Sequence, residues 1–184
     1  MKILLCVTGA VSSFVIPSHV LHLRTKLNAD VNIMTTRSAL KFVSKYTLEL
    51  HSGHPVITDA YEEVNHLLVP HIRLTNEADL ILVMPATANI ISKAATGICD
   101  DVVSTALVAA TCPVVFVPSM NGNMWNNQSI QFNVDLLKRR GLYIVDPVEG
   151  FEIDGLQKTS GVMASIQTVI DYIRQLKSEN KTIL

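Results

Sequence analysis

The chain has 184 residues, of which 48% are hydrophobic, and its formal net charge is -1. This length suits one domain over residues 1–184, with a polar tail from about residue 178. The near-neutral charge gives no reason to expect nucleic acid as a partner, and no apolar run has the length of a membrane span. The three cysteines are far apart and form no C-x-x-C pair. This pattern predicts a reduced, cytoplasmic protein without disulfides or a metal site.

Strand-like and helix-like segments alternate along the chain. Apolar runs predict strands at residues 3–7, 30–34, 80–84, 114–117 and 143–145. Helices are expected at residues 12–27, 36–50, 70–77, 88–96, 101–110, 130–140 and 167–177. Ser12 or Ser13 is expected to cap the first helix, and Thr36 to open the second. The repeated β-α order predicts an α/β fold with a doubly wound parallel sheet, of the Rossmann or flavodoxin-like kind.

Four predicted strand ends carry small or polar residues, and ligands of such sheets bind beyond the carboxyl ends of the strands. They are residues 8–13 (T-G-A-V-S-S), 35–38 (T-T-R-S), 85–90 (P-A-T-A-N-I) and 118–125 (P-S-M-N-G-N-M-W). Gly9 permits close backbone approach, and the helix start after it offers free N–H groups to an anion. The first loop matches neither G-x-G-x-x-G nor a Walker A pattern. Each loop alone is typical of a plain cap, but together they outline a cleft for a phosphorylated, largely planar ligand.

Two features carry candidate chemistry beyond the strand ends. Asn121 offers both a hydrogen-bond donor and an acceptor, and Met120, Met124 and Trp125 supply an apolar wall around it. The alternative interpretation is an ordinary turn beside a core aromatic residue. His71 stands at a predicted helix start, and an ordinary histidine pKa suits a general base near neutral pH. A lone histidine is, however, more often a surface or capping residue.

These segments resemble the motifs of the flavin-dependent cysteine decarboxylases. Residues 85–90 resemble the family's P-A-S-A-N-T flavin motif, and residues 118–125 its P-x-M-N-x-x-M-W substrate motif. Residues 70–72 (P-H-I) resemble the segment with the active-site histidine, and residues 97–100 (G-I-C-D) the segment after the flavin motif. The resemblance covers roughly residues 2–167 and implies a flavoprotein with FMN as its cofactor. Thr87 and Ile90 replace the usual Ser and Thr of the flavin motif, which leaves FAD as an alternative.

The family that the chain resembles has two main branches. One decarboxylates phosphopantothenoylcysteine in coenzyme A biosynthesis and uses the cysteine of an A-C-G-D motif to protonate an ene-thiol intermediate. The other decarboxylates the C-terminal cysteine of a ribosomal precursor peptide in lanthipeptide (lantibiotic) biosynthesis. Residues 150–161 of this chain contain no cysteine, and residues 151–153 resemble the F-E-I opening of the peptide branch's substrate clamp. The resemblance therefore favours a peptidyl-cysteine decarboxylase that stops at the aminoenethiol.

The resemblance also assigns roles to individual residues. His71 is the expected catalytic base. The residues expected to contact the substrate are Asn121, Met124, Phe151 and Ile153. The residues expected to contact the flavin are Gly9, Ala10, Ser12, Thr36, Ser38, Thr87, Ala88, Asn89, Ser119 and Met120.

The resemblance implies partners and alternatives as well. The expected partners are a precursor peptide that ends in cysteine and further copies of the chain, assembled as trimers and dodecamers. A lanthipeptide synthetase is a further candidate partner. Phosphopantothenoylcysteine decarboxylation is the alternative activity, and a non-catalytic flavin-binding regulatory subunit is the alternative of a different class. The presence of both His71 and Asn121 argues against the regulatory subunit.

Overall fold

A five-stranded parallel sheet forms the centre of the protein. The computed structural model describes residues 1–61, 69–151 and 156–179. The strands of the sheet are β1 (Lys2–Val7), β2 (Asp30–Thr35), β3 (Leu80–Ala86), β4 (Val114–Pro118) and β5 (Tyr143–Ile144). They lie in the order β2-β1-β3-β4-β5, and every neighbouring pair is parallel. The predicted doubly wound α/β fold is confirmed.

Helices cover both faces of this sheet. They are α1 (Ile16–Leu27), α2 (Lys45–Ser52), α3 (Pro70–Glu77), α4 (Ala88–Thr96), α5 (Val102–Val108), α6 (Gly122–Trp125), α7 (Gln128–Arg139) and α8 (Ile166–Glu179). Alternate residues of β1 face opposite sides, because side chains alternate along a strand. Leu5 packs with α1, α2 and α8, whereas Leu4 packs with α4, α5 and α7. This double burial explains why the strands are continuous apolar runs.

The first predicted helix is divided in two. Residues Val11–Val15 form a 3-10 turn that leads into α1, and neither Ser12 nor Ser13 caps a helix. The Ser13 hydroxyl donates to the Thr8 carbonyl oxygen over 2.8 Å. The Ser12 and Ser119 hydroxyl oxygens lie 2.7 Å apart. Both serines thus connect loops, and the expectation that one of them caps this helix is wrong.

The second predicted helix begins later than expected. Thr36 does not open it, because the Thr36 hydroxyl pairs with the Ser38 hydroxyl, with their oxygens 3.0 Å apart. A short 3-10 turn follows at Ala39–Lys41. Ser44 is the actual N-cap of α2, and its hydroxyl oxygen accepts from the Thr47 backbone N–H over 3.2 Å. Residues 36–44 are thereby left free to form a loop at the carboxyl edge of the sheet.

An antiparallel hairpin follows the sheet and was not predicted from the sequence. Strands β6 (Val148–Phe151) and β7 (Lys158–Val162) pair through Val148 with Val162 and Phe151 with Lys158. The polar and glycine-rich composition of these segments hides the strand signal, and the hairpin is held by packing on α6. The residues between Phe151 and Leu156, which include the predicted substrate residue Ile153, lie outside the described residues.

Within the described ranges, no helix combines the length and apolar character that crossing a membrane requires.

Candidate functional site

A cleft opens where the sheet changes its winding direction. The connection after β1 packs on one face of the sheet and the connection after β3 on the other, so the connections of these two adjacent strands diverge at the carboxyl edge. The cleft at this edge has a volume of about 650 Å³. The residues that line it are Thr8, residues 36–38, residues 58–61, Thr87, Asn89, Ile90, Lys93, residues 99–102 and Thr105. A cavity of this size is typical of small-molecule and cofactor sites.

Thr8 fixes the loop that follows β3. Its hydroxyl donates to the Pro85 carbonyl oxygen over 2.7 Å and accepts from the Thr87 backbone N–H over 3.1 Å. The Thr87 hydroxyl in turn accepts from the Ile90 backbone N–H over 3.3 Å and caps α4. The side chain of Thr8 is buried, so these bonds are shielded from water. The loop resembling the flavin motif is therefore held rigidly against the end of β1.

Gly9 brings the loops after β1 and β2 into contact. A Cβ atom placed on Gly9 would lie 2.6 Å from the Ser38 Cβ and 2.9 Å from the Ser38 carbonyl carbon. Any larger residue would force the two loops apart. The expected close approach at Gly9 is thus made by Ser38, which itself lines the cleft.

Lys93 and two aspartates form a charged cluster at the rim of the cleft. The Lys93 ammonium lies 2.5 Å from a carboxylate oxygen of Asp100 and 2.8 Å from one of Asp101, and its side chain is only 15% exposed. Burial opposes the charge of Lys93, but the hydrogen bonds that Lys93 donates to Asp100 and Asp101 outweigh it and raise the lysine pKa above its usual value. Asp101 also closes a capping box with Ser104 at the start of α5. Lys93 is therefore a fixed, permanently charged group.

The loop after β4 forms a second region, joined to the hairpin. The Asn121 carboxamide oxygen accepts from the Asn123 backbone N–H over 2.8 Å and caps α6. The Met120 backbone N–H donates to the Gly161 carbonyl oxygen over 3.0 Å. A Cβ on Gly122 would collide with the Thr159 hydroxyl. Loop and hairpin are thus packed backbone against backbone.

His71 lies on a third element, near the start of α3. Its side chain is buried, and its Nδ1 has no hydrogen-bond partner among the described residues. The His71 carbonyl oxygen accepts from the Thr75 hydroxyl over 2.7 Å, within the helix. Helix α3 packs against α5, whose residues Val102 and Thr105 line the cleft. A buried polar atom without a partner is uncommon, so His71 Nδ1 marks a candidate functional group.

The structure separates the predicted site residues into groups. Of the predicted flavin contacts, Thr36, Ser38, Thr87 and Asn89 line the cleft. The others, which do not line it, are Gly9, Ala10, Ser12, Ala88, Ser119 and Met120. Asn121, Met124 and Phe151 belong to the second region, where Met124 and Phe151 are 47% and 63% exposed. His71 lines neither the cleft nor the second region.

Sequence reasoning missed Lys93 and Asp101 as parts of the cleft. A signal was available for Lys93. It follows Asn89 by four residues on α4, which puts both side chains on one face of the helix. The free thiol of Cys99 also lines the cleft. Among the described residues, no group of three His, Cys, Asp or Glu side chains is placed to hold a metal ion.

The residues of the cleft fit a flavin mononucleotide. Hydroxyl-bearing residues from the ends of β1, β2 and β3, namely Thr8, Thr36 and Thr87, line one cavity. The hydroxyls of Thr36 and Thr87 suit a phosphate and a polyol chain. The cavity volume of about 650 Å³ also leaves room for a planar ring beside α4. The fold and the site together define a doubly wound α/β protein with a nucleotide cleft at its β1–β3 switch point.

The comparisons with known proteins identify the family. The family model described as Flavoprotein matches residues 1–178, and the chain belongs to this family. The predicted flavoprotein is therefore confirmed.

Two sequence relatives carry names from coenzyme A biosynthesis. The "Coenzyme A biosynthesis bifunctional protein CoaBC" of Bacillus subtilis is 39% identical over 153 residues, which are 82% of this chain but 37% of the relative. The chain thus spans less than half the length of this bifunctional relative. The "Probable phosphopantothenoylcysteine decarboxylase" of Streptococcus mutans is 33% identical over 176 residues, which are 95% of this chain and 97% of the relative.

Solved structures from both branches resemble the fold. A PPC decarboxylase mutant complexed with pantothenoylaminoethenethiol has a TM-score of 0.83 and 26% identity, with 96% of this chain and 98% of that chain covered. The FMN-dependent cysteine decarboxylase SpaF has a TM-score of 0.81 and 30% identity, with 97% of each chain covered. The peptidyl-cysteine decarboxylase EpiD has a TM-score of 0.79 and 30% identity, with 94% and 98% covered. The predicted likeness to cysteine decarboxylases is confirmed, but the likeness to the peptide branch in particular is not.

Proposed function

We propose that this chain catalyses the FMN-dependent oxidative decarboxylation of a cysteine whose nitrogen is acylated and whose carboxylate is free. Both kinds of relative support this common chemistry, because their names specify phosphopantothenoylcysteine and peptidyl-cysteine as substrates. The observation that carries the proposal is the convergence of three hydroxyl-bearing strand ends on one cleft at the β1–β3 switch point.

The cleft residues are proposed to hold the cofactor. Thr36 and Ser38 would bind the phosphate and polyol end, while Thr87 and Asn89 would lie beside the flavin ring. When bound, FMN supplies the two-electron oxidation of the cysteine side chain. The Thr8 bonds to the loop after β3 keep this binding surface preorganised, so little conformational entropy is lost when the cofactor binds.

His71 and Asn121 are proposed to act on the substrate. His71 would accept a proton from the cysteine, since its buried imidazole has an unpartnered nitrogen among the described residues. The Asn123 backbone N–H fixes the Asn121 carboxamide oxygen, and a carboxamide NH₂ group is of the type that donates to a carboxylate. Oxidation at the carbon next to sulfur gives a C=S group, which takes up the electrons released when CO₂ leaves. Met124 and Phe151 would cover the substrate and limit access of water.

Phosphopantothenoylcysteine is the substrate that the sequence relatives support better. The Streptococcus mutans relative aligns over nearly the whole of both chains and is named for this substrate. The sequence motifs favoured a C-terminal cysteine of a precursor peptide instead, and the structural neighbour EpiD, named a peptidyl-cysteine decarboxylase, supports this second candidate. The order of the two candidates is thus the reverse of the one that the sequence motifs suggested.

The cysteine content of the chain bears on the product with either substrate. The last cysteine in the sequence is Cys112, and residues 150–161, where the coenzyme A branch has its A-C-G-D motif, contain none. A cysteine-to-serine mutant of a PPC decarboxylase was found complexed with pantothenoylaminoethenethiol, an unsaturated thiol. We therefore expect this chain to release the unsaturated ene-thiol rather than the saturated thiol.

The test is mass spectrometry of the FMN-loaded protein, in air, with phosphopantothenoylcysteine and with a synthetic peptide that ends in cysteine. Loss of CO₂ and two hydrogens from either substrate supports the proposed activity and ranks the two candidates. Loss of CO₂ alone would mean that the saturated thiol forms and that the expected product is wrong. Protein that binds FMN but leaves both substrates unchanged would point to the regulatory alternative.

A C-terminally amidated peptide is the matched control substrate. It keeps the cysteine side chain and the acylated nitrogen but has no carboxylate to lose. Turnover of this amide as fast as the free acid would rule out decarboxylation as the reaction.

A further inference from the structure

Lys93 is the most buried cation of the cleft and has hydrogen-bonding capacity to spare. Its ammonium contacts Asp100 and Asp101, at 2.5 Å and 2.8 Å, and its side chain is 15% exposed. An ammonium has three N–H donors, and the two carboxylates occupy two of them. Because Lys93 itself lines the cleft, the third N–H is available to a molecule bound there.

The position of Lys93 on α4 places it beside the proposed ring site. Asn89 and Lys93 are four residues apart on this helix and both line the cleft. Side chains at this spacing lie next to each other, with Cβ atoms roughly 5–6 Å apart. A ring that contacts Thr87 and Asn89 is therefore within reach of the longer Lys93 side chain.

We propose that Lys93 donates a hydrogen bond to the pyrimidine edge of the bound flavin ring, and that Asp100 moderates its effect on the midpoint potential. This inference rests on the proposed function, since it requires FMN in this cleft. Reduction adds electron density to the pyrimidine edge of the ring, so a nearby cation stabilises the reduced form. The Lys93 side chain is only 15% exposed, so solvent screens its charge less than that of a surface lysine. Asp100 and Asp101 hold the ammonium in place and together carry more charge than it does, so its effect on the ring depends on the direct hydrogen bond.

Two measurements on the FMN-loaded protein test this role without relying on turnover. One is the dissociation constant of sulfite, which adds to the flavin ring and leaves negative charge on its pyrimidine edge. The other is the midpoint potential of the bound FMN. Lys93→Met is expected to weaken sulfite binding about tenfold, and a tenfold change in a two-electron equilibrium corresponds to about 30 mV, here toward lower potential. Lys93→Arg should stay close to wild type in both measurements, because it keeps the charge.

Asp100→Asn removes the charge of the more exposed carboxylate that pairs with Lys93. The Asp100 side chain is 59% exposed, so this substitution should leave the fold intact. It removes a negative charge and is expected to tighten sulfite binding, by about threefold because solvent screens the charge. The matched control is Lys2→Met, a lysine paired with Glu77 at the amino edge of the sheet. Lys2 is roughly 16 Å from the end of β1 at about 3.3 Å per residue, and its loss should change neither quantity.

The two substitutions must shift the potential in opposite directions. An unchanged potential and sulfite affinity in Lys93→Met, or shifts of the same sign in Lys93→Met and Asp100→Asn, would overturn the inference. If Lys93→Met does not retain FMN, Lys93→Gln takes its place, because it keeps an N–H donor while it removes the charge. Wild-type protein that binds no FMN would contradict the proposed function instead.

Discussion

The cleft beside β1 and β3 and the loop after β4 are built in different ways. The cleft is fixed by short side chains, as in the bonds of Thr8 to Pro85 and Thr87, within a regular parallel sheet. The loop after β4 is fixed by backbone contacts with a separate hairpin, where Gly122 and Gly161 allow the approach. The residues proposed to hold the cofactor are in the first region, and most of those proposed to hold the substrate are in the second.

This difference in construction indicates separate roles for the two regions, cofactor binding in the cleft and substrate binding at the loop and hairpin. A cofactor that stays bound is served by a preorganised cleft, whereas a substrate that must enter and leave is served by a loop and hairpin at the surface. The Ser12 and Ser119 hydroxyls, 2.7 Å apart, join the two regions at the end of the sheet. Substitutions in the first region should therefore affect FMN affinity, and substitutions in the second should affect turnover while FMN stays bound.

The largest effect is expected from His71→Asn. General base catalysis typically contributes about 10²–10⁴-fold, so turnover should fall by a factor in this range while FMN remains bound. Steady-state assays and the flavin absorbance of the purified variant provide the two readings. His22→Asn is the control, since His22 is an exposed residue of α1 whose ring Nδ1 lies 2.8 Å from the Ser18 carbonyl oxygen in its own helix. Turnover within a few-fold of wild type would remove His71 from the mechanism.

Asn121→Asp should lower kcat/KM by about a hundredfold or more. The aspartate can still accept the Asn123 N–H and cap α6, but it cannot donate to a substrate carboxylate and would repel it. Asn127→Asp is a matched control, because Asn127 caps α7 by the same bond to a backbone N–H, that of Ser129, over 2.9 Å. Equal activity of the two variants would argue against a role for Asn121 in carboxylate binding.

Gly9→Ala and Gly122→Ala test the two regions in parallel. Each added methyl group meets an occupied space, beside Ser38 in the cleft or Thr159 in the hairpin, and overpacking of this kind typically costs 1–3 kcal/mol. Gly9→Ala should weaken FMN binding, whereas Gly122→Ala should leave FMN affinity nearly unchanged and reduce turnover. Denaturant unfolding, FMN titration and assays separate these effects. The same loss of FMN affinity in both variants would contradict the assignment of cofactor binding to the first region and substrate binding to the second.

A smaller effect is expected at Thr87, which caps α4 next to the cleft. Removing an N-cap hydroxyl costs about 1 kcal/mol, so Thr87→Ala should lower the free energy of unfolding by this amount and weaken FMN binding. Thr87→Ser restores the hydroxyl, and with it the Ser of the family's flavin motif, and should recover both quantities. A Ser variant as unstable as the Ala variant would show that the Thr87 methyl group, and not the cap, matters.

The smallest effect is expected at His19 on α1, outside both regions. Burial, followed by the charge of His22, lowers the pKa of His19 to about 4. Because the unfolded chain has an ordinary histidine pKa near 6.5, it binds more protons than the folded chain between about pH 6.5 and 4. Stability should thus be full above this window and fall as the pH drops through it. His19→Gln should flatten this decline in urea unfolding curves without a change in FMN affinity, and an identical slope would contradict the assignment.

Local sequence signals predicted most of the sheet and the bounds of two helices, α3 and α4. Helix α3 has the predicted bounds, Pro70–Glu77, because proline favours the first turn of a helix. Strands β1 to β4 extend the predicted ones by a residue or two and β5 is one residue shorter, since the apolar runs report burial on both faces. The motif loops were also expected at the carboxyl edge of the sheet, because every strand of a parallel sheet ends there.

Only the tertiary structure decided which contacts hold those loops together. The hydroxyls of Ser12 and Ser13, expected to cap a helix, bond to Ser119 and Thr8 instead, because the packed loops offer them nearer partners. The hairpin of β6 and β7 exists through its contact with α6, and its own composition gives little strand signal. The pairing of Lys93 with Asp100 and Asp101 depends on how the chain turns back after α4. Local propensity carries no information about these contacts, because each depends on how loops and helices outside a single element pack together.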